Sequence, residues 1–203
     1  FHHVVSNGHH PFGTSIEREK NILEGRPDVR KIWKDREASD LILKLIRSDA
    51  KRRPTGEEAC VHPFYWDDNW RLQFLLDVSD RLDCEPPSSA LVLDLESRGP
   101  KVFGERWDTA LSGVLLTDLE GRRKYNYQQL RDLLRALRNK RHHFHEASDL
   151  VQLLLGHIPD GFLSYWSSRF PDLLMEIYTL VRDSSVKDEA LFRRYFQVPI
   201  GPQ

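Results

Sequence analysis

Apolar residues recur at helical spacing through most of the chain, and after residue 66 they show no strand-like alternation. The clearest run is Leu130, Leu133, Leu134 and Leu137, at i, i+3, i+4 and i+7, which marks one face of an amphipathic helix expected to point inward. Trp70, Phe74, Leu75, Val78 and Leu82 mark another, with Asp67 or Asp68 as its cap and Pro86-Pro87 as its stop. SSALVLDLESRG reads as a weaker helix, since its β-branched content only mildly disfavours one, and ERWDTALSGVLLTDLEGRR as a short helix and loop. Beyond His145 the periodicity predicts helices over 147–155, 162–170, 171–182 and 187–196. Gly156, Pro159-Asp160-Gly161, Pro171 and Asp183-Ser184-Ser185 separate them, with Pro171 placed in a first turn.

Before residue 66 the pattern is helical with long loops. VVSNGHHPFG carries turn signals, and 39–46 is predicted to be a helix capped by Ser39. Arg53-Pro54-Thr55 should stop it, Thr55 and Glu58 should form a capping box for the next helix, and His62-Pro63-Phe64 should end that one. The expected fold class is all-α, without repeats or low-complexity segments.

Charge changes this picture, because it is segregated along the chain. Between 122 and 143 stand eight basic residues (Arg122, Arg123, Lys124, Arg131, Arg135, Arg138, Lys140, Arg141) against one acid, Asp132, in a chain whose formal net charge is −1. Arg131, Arg135 and Arg138 form a second stripe on the Leu130 helix, expected to face solvent or an anion. Such a local excess is the footprint of a polyanion site, although an ordinary solvated helix face has the same look. Residues 67–99 hold eight acids and three arginines, so the basic site has an acidic neighbour.

With 203 residues, 39% hydrophobic and 30% charged, the chain has material for one good core or two small ones and is expected to be soluble and globular. No apolar run approaches the roughly 20 residues of a membrane span. Phe1 follows no signal-peptide pattern, and the chain reads as an excerpt that starts inside a domain. Cys60 and Cys84 lack metal-type or disulfide-framework spacing, which suits a reducing compartment, and no role is assigned to them.

SNGHHPFG followed by DLILKLIRSDAKRRPTGEEACVHPFYW resembles the last third of a protein-kinase C-lobe, the second segment more closely than the first. The parts that handle ATP (a Gly-rich loop, a V-A-I-K lysine, an H-R-D loop, D-F-G) are absent, so phosphoryl transfer is not expected of these residues. ATP or ADP and Mg would belong to kinase sequence not present here. In kinases the Arg matching Arg53 pairs with a Glu of the A-P-E segment, which is also missing. The kinase-like piece runs directly into WDDNWRLQFLLDVSDRL, then LRDLLRALRNKRHHF, then IPDGFLSYWSSRFPDLLMEIY. Taken together the chain is similar to the kinase-extension nuclease family, whose members include the endoplasmic-reticulum unfolded-protein sensor kinase/endoribonucleases and ribonuclease L. DLLRALRNKRHHF is nearer the sensor branch.

The resemblance implies the end of a kinase C-lobe over 1–66 and an all-helical nuclease domain over 67–203. It implies metal-independent cleavage of stem-loop RNA by 2′-hydroxyl attack, leaving 2′,3′-cyclic phosphate and 5′-hydroxyl ends, with no cofactor. It also implies a homodimer or higher oligomer, on the cytosolic side of the endoplasmic-reticulum membrane but without membrane contact by these residues. The family's catalytic residues fall on Tyr125, Arg138, Asn139 and His143; Lys124, Arg135, Lys140, Arg141 and His142 are the candidates to hold RNA.

These types suit in-line transesterification, which needs a base near the 2′-OH, an acid near the departing 5′-oxygen, and donors around the phosphate. His143 is the natural acid, Arg138 can clamp non-bridging oxygens, and Asn139 can orient phosphate or ribose. Tyr125 either acts as base, with its phenol made more acidic by Arg123 and Lys124, or only positions the hydroxyl. Arg138 and His143 also fit the R-x4-H spacing of a wider class of helical ribonucleases, a weak signal alone. Zinc on His142, His143 and His145 is disfavoured, since no Cys or acidic ligand stands at a matching spacing and the cations nearby oppose a dication. Trp166, Phe170 and Tyr178 sit at helical spacing and are expected in the core rather than against bases. The competing reading is a module that binds RNA and oligomerises without cutting.

Overall fold

The computed structural model describes residues 2–121 and 123–198; Phe1 and Arg122, both used in reading the sequence, lie outside them. Every regular element among the described residues is helical, as the periodicity predicts. In order these are α1 (His2–Val5), α2 (Arg18–Leu23), α3 (Arg36–Leu45), α4 (Gly56–Cys60), α5 (Asp68–Asp83), α6 (Ala90–Ser97), α7 (Gly99–Phe103), α8 (Gly113–Glu120), α9 (Leu130–His142), α10 (Asp149–Leu155), α11 (Asp160–Arg169), α12 (Leu173–Asp183) and α13 (Arg193–Phe196), with short 3-10 turns between some of them. No described helix is long and apolar enough to cross a membrane.

The chain divides into two compact units, one of them Trp66–Tyr195 and the other built on the residues up to Tyr65. In the latter, α3 is capped by Asp35, which accepts from Ala38 N at 2.8 Å, and not by Ser39. Ser39 Oγ instead donates to Ile32 O at 2.9 Å, because the apolar face of α3 begins at Ala38 and pulls the helix start upstream. The Thr55–Glu58 capping box of α4 forms in both directions, at 3.2 and 2.8 Å. Buried His62 meets Asp40 at 2.9 Å, and Arg53 Nε donates to Arg47 O at 2.8 Å.

In the second unit α9 packs between α5 and α6, α12 lies on the same two helices, and α10 rests against α8 and α11. Leu130, Leu133, Leu134 and Leu137 are all 0% exposed, so the predicted stripe is the centre of the core. Burying each contributes about 1.5–3 kcal/mol. α5 starts where expected: Asp67 accepts from Trp70 N at 2.7 Å, and Phe74, Leu75, Val78 and Leu82 are buried. Trp66 and Phe74 join Tyr178 and Tyr195 in edge-on ring contacts, while Trp166 and Phe170 stack within the core. These aromatics are structural, as their spacing suggests.

Two expectations near the end of the chain are corrected. The stretch 187–196 is not one helix: a 3-10 turn over Ser185–Asp188 closes at Glu189, whose ψ of 144° is extended, and only Arg193–Phe196 is α-helical. Glu189 is drawn out of helical geometry where its carboxylate accepts from Arg81 Nε at 2.9 and 3.0 Å. Pro171 stands before the first turn rather than in it, since Asp172 is the N-cap of α12.

Candidate active site

The site is assembled around α9, whose N-terminus has no side-chain cap of its own because Gln129 makes none. Glu96 of α6 takes that place, accepting from Leu130 N at 2.7 Å and Arg131 N at 3.1 Å. A carboxylate there meets two orphan donors and the positive end of the helix dipole. Burial nonetheless holds the Glu96 carboxyl above the ordinary range, the two N–H bonds opposing it. The reverse tie comes from Arg131, whose guanidinium donates to Glu85 O at 2.8 Å and to Leu82 O at the C-terminus of α5.

The segment before α9 carries Tyr125. Asn126 N donates to Asp132 Oδ2 at 2.7 Å, which folds the segment back onto the first turn of the helix. Fully buried Trp107 is the anvil: its backbone N donates to Tyr127 O at 3.0 Å and its indole N–H to Gln129 O at 3.1 Å. The Trp107 and Tyr125 rings meet edge-on at 6.0 Å between centroids. Neighbouring Tyr127 donates to Glu120 at 2.9 Å; burial, then that carboxylate, pushes its phenol up to about 12.

Three of the four candidate catalytic side chains form one hydrogen-bonded row. Arg138 Nη2 donates to Asn139 Oδ1 at 3.3 Å, and Asn139 Nδ2 donates to Tyr125 Oη at 3.0 Å. Arginine has no acceptor, so the amide orientation follows from chemistry: Oδ1 must face Arg138 and Nδ2 the phenol. One turn on, His143 N donates to Asn139 O at 3.0 Å, which places His143 at the C-cap of α9. Its side chain is 52% exposed, with Nδ1 2.8 Å from Glu146 Oε1.

The arginine stripe does not face solvent, contrary to its sequence reading. Arg138 holds Asp83 at 2.6 Å and Asp80 at 3.0 Å, while Arg135 pairs with Asp83 and, at 3.0 Å, with Asp132. Burial alone would push the Asp83 carboxyl up, but the two guanidiniums outweigh it and hold it below the usual range. The acidic neighbour inferred from charge segregation is thus the C-terminal half of α5, laid directly against α9. Of the residues expected to hold RNA, Lys124 and His142 are exposed and Arg141 is half-buried. Arg135 and Lys140 are turned inward: Lys140 is 2% exposed and paired with Asp118 of α8, and burial pushes its ammonium below the ordinary lysine range. Its apolar stem lies in the core, and its charge is spent on joining two helices.

Glu96, Asp80, Asp83, Asp118, Asp132, Trp107 and Glu146 escaped the sequence reading as parts of the site. Only the acidic run of 67–99 signalled any of them. Among the described residues no group of three His, Cys, Asp or Glu side chains is placed to hold a metal ion.

The model of the family described as Ribonuclease 2-5A matches residues 71–196, which include every residue of this row together with most of α5 and all of α12. The chain belongs to the ribonuclease 2-5A family. It is 38% identical over 200 residues to the serine/threonine-protein kinase/endoribonuclease IRE1a of Arabidopsis thaliana, a match covering 98% of this chain and 24% of that protein. It is 40% identical over 203 residues to the sensor for unfolded proteins in the ER ire1 of Schizosaccharomyces pombe, covering 97% of this chain and 19% of that one. With the human serine/threonine-protein kinase/endoribonuclease IRE2 the identity is 39% over 200 residues, covering 97% and 21%. As a ribonuclease 2-5A member the chain spans about a fifth to a quarter of the length of these curated relatives.

Proposed function

We propose that the second unit is an endoribonuclease domain that cleaves stem-loop RNA without metal, by attack of a 2′-hydroxyl on the adjacent phosphorus. The products are a 2′,3′-cyclic phosphate and a 5′-hydroxyl. The observation that carries this reading is the row Arg138–Asn139–Tyr125 with His143 one helical turn beyond it, within a chain of the ribonuclease 2-5A family.

In this mechanism the phenol of Tyr125 accepts from Asn139, so its own proton is directed away from the row and toward the ribose. It orients the 2′-hydroxyl or takes its proton. Arg138 offers its fork to the non-bridging oxygens, where charge gathers in the transition state. To do so it exchanges exposed Asp80 for phosphate while Asp83 keeps its hold. His143, accessible at the helix end, protonates the 5′-oxygen as the P–O bond breaks. Lys124, Arg141 and His142 contact the flanking backbone.

The relatives' names, a kinase/endoribonuclease and a sensor for unfolded proteins in the ER, support extending the proposal to the output domain of such a sensor; the proposal adds a place on the cytosolic side of the endoplasmic-reticulum membrane and work as a dimer or higher oligomer. Residues 1–66 are then the end of its kinase C-lobe, and ATP and Mg concern only the remainder of that kinase.

The test is cleavage of a short stem-loop RNA in excess EDTA by this chain and by His143→Asn, with the ends analysed. Cyclic phosphate from the parent and a loss of about 10²–10⁴-fold in the variant are expected. A parent that binds the RNA and leaves it whole at every protein concentration is a binding or assembly module instead.

A further inference from the structure

The contact between His143 and Glu146 has consequences for which ring nitrogen does the chemistry. Glu146 ends the 3-10 turn that follows α9, and its backbone N donates to His143 O at 3.1 Å, so the turn fixes the carboxylate three residues on beside the ring. Glu146 Oε1 lies 2.8 Å from Nδ1. An ionised carboxylate only accepts, so Nδ1 carries the proton and Nε2 is the nitrogen left open to substrate.

We propose that Glu146 is a positioning residue for His143: it holds the Nδ1–H tautomer and aims Nε2 at the scissile phosphodiester. This rests on the reading of His143 as the general acid. As the P–O5′ bond breaks, its electron pair stays on O5′ and takes the Nε2 proton. The imidazolium becomes neutral imidazole, and the Nδ1 proton remains on the ring against Glu146. No proton passes to the carboxylate.

The surroundings explain why such a partner is needed. His143 follows Arg141 and His142 at the end of a basic helix, so a freely turning ring has no fixed acceptor on that helix to orient it. Glu146 supplies that acceptor, and its field reaches Lys140 as well. The pair is half open to water, so the electrostatic part is modest and the orienting part is the larger share. The same geometry accounts for the histidine cluster: His142 and His145 are exposed, but the Glu146 contact distinguishes His143.

The experiment separates the two parts with Glu146→Gln and Glu146→Ala in the same chain. Glutamine keeps an oxygen that accepts from Nδ1–H but loses the charge; alanine loses both. Imidazole nitrogen shifts of 15N-labelled protein read the tautomer and titration of His143 without any substrate, and the pH–rate profile reads its acid limb. The Gln variant should keep the Nδ1–H tautomer. The Ala variant should lose that tautomer preference and cleave roughly tenfold slower than the parent at neutral pH, with Gln restoring part of the rate. Circular dichroism and melting should stay at parent values in both. If His143→Asn abolishes cleavage while Glu146→Ala leaves nitrogen shifts, pH limb and rate unchanged, the positioning role is wrong and the general-acid reading stands. If His143→Asn cleaves like the parent, the general-acid reading fails, whatever the nitrogen shifts show.

Discussion

Arg138 and Asp83 are 2.6 Å apart, on two different helices, with the guanidinium almost wholly enclosed. The residue best suited to grip a phosphate is thereby held by two carboxylates at the surface end of α5, Asp83 with a side chain 29% exposed and Asp80 with one 58% exposed. Both carboxylates take Nη1 while Nη2 holds Asn139, so a guanidinium already fixed by Asp83 and Asn139 loses little freedom when phosphate takes the place of Asp80.

Removing the exposed partner should therefore strengthen binding. Asp80→Asn leaves one N–H of Arg138 Nη1 without a charged competitor for phosphate, so RNA affinity at low salt should rise. Because Arg138 meets phosphate in the parent and the variant alike, the salt slope should stay near the parent's while affinity rises. Filter binding across a salt series measures this; an affinity no higher than the parent's would show that Asp80 does not compete with phosphate for Arg138.

Removing the less exposed partner should cost stability. Asp83→Asn deprives Arg135 and Arg138 of a shared carboxylate and is expected to lower unfolding stability by about 1.5–3 kcal/mol, read from the urea midpoint. The pH dependence follows the same pair. Because the folded Asp83 pKa is depressed below the unfolded value of about 3.9, its contribution is present above that pH and lost as pH falls through the folded value. The parent should lose stability more steeply below about pH 4 than Asp83→Asn does.

Lys140 should behave as a structural residue. Lys140→Ala leaves Asp118 without its partner and should cost about 3–5 kcal/mol. Replacing both, as Lys140→Met with Asp118→Leu, should recover much of that loss. The folded double variant should keep the parent's salt slope for RNA, since a buried ammonium neutralises no phosphate.

The amide between the arginine and the phenol is testable by reversing one bond. In Asn139→Asp the carboxylate still accepts from Arg138, but Tyr125 must now donate to it rather than accept. Cleavage should fall by about 10²-fold or more while melting changes little, and the phenol's proton should be withdrawn from the ribose.

Glu96→Ala should test how far a remote carboxylate supports the site. Leu130 N and Arg131 N would lose their acceptor, at about 1–2 kcal/mol in thermal or urea unfolding, with a smaller loss for Glu96→Gln.

What the sequence determined is whatever depends on local periodicity and local chemistry. The leucine stripe of α9, the Asp67 cap, the Thr55–Glu58 box and the all-helical class follow from residues within a few positions of one another. So do Asn139 and His143, one turn apart on the same helix. Tertiary structure decided the fate of the charges, because an arginine reads alike on a helical wheel whether water or a carboxylate faces it. Arg131, Arg135, Arg138 and Lys140 were assigned by partners between 22 and 58 residues away or at the neighbouring turn: Asp118, the Leu82 and Glu85 carbonyls, Asp80, Asp83 and Asp132. Pairing of buried cations depends on which helices pack together, and α5 against α9 is a relationship that spacing within either helix does not contain.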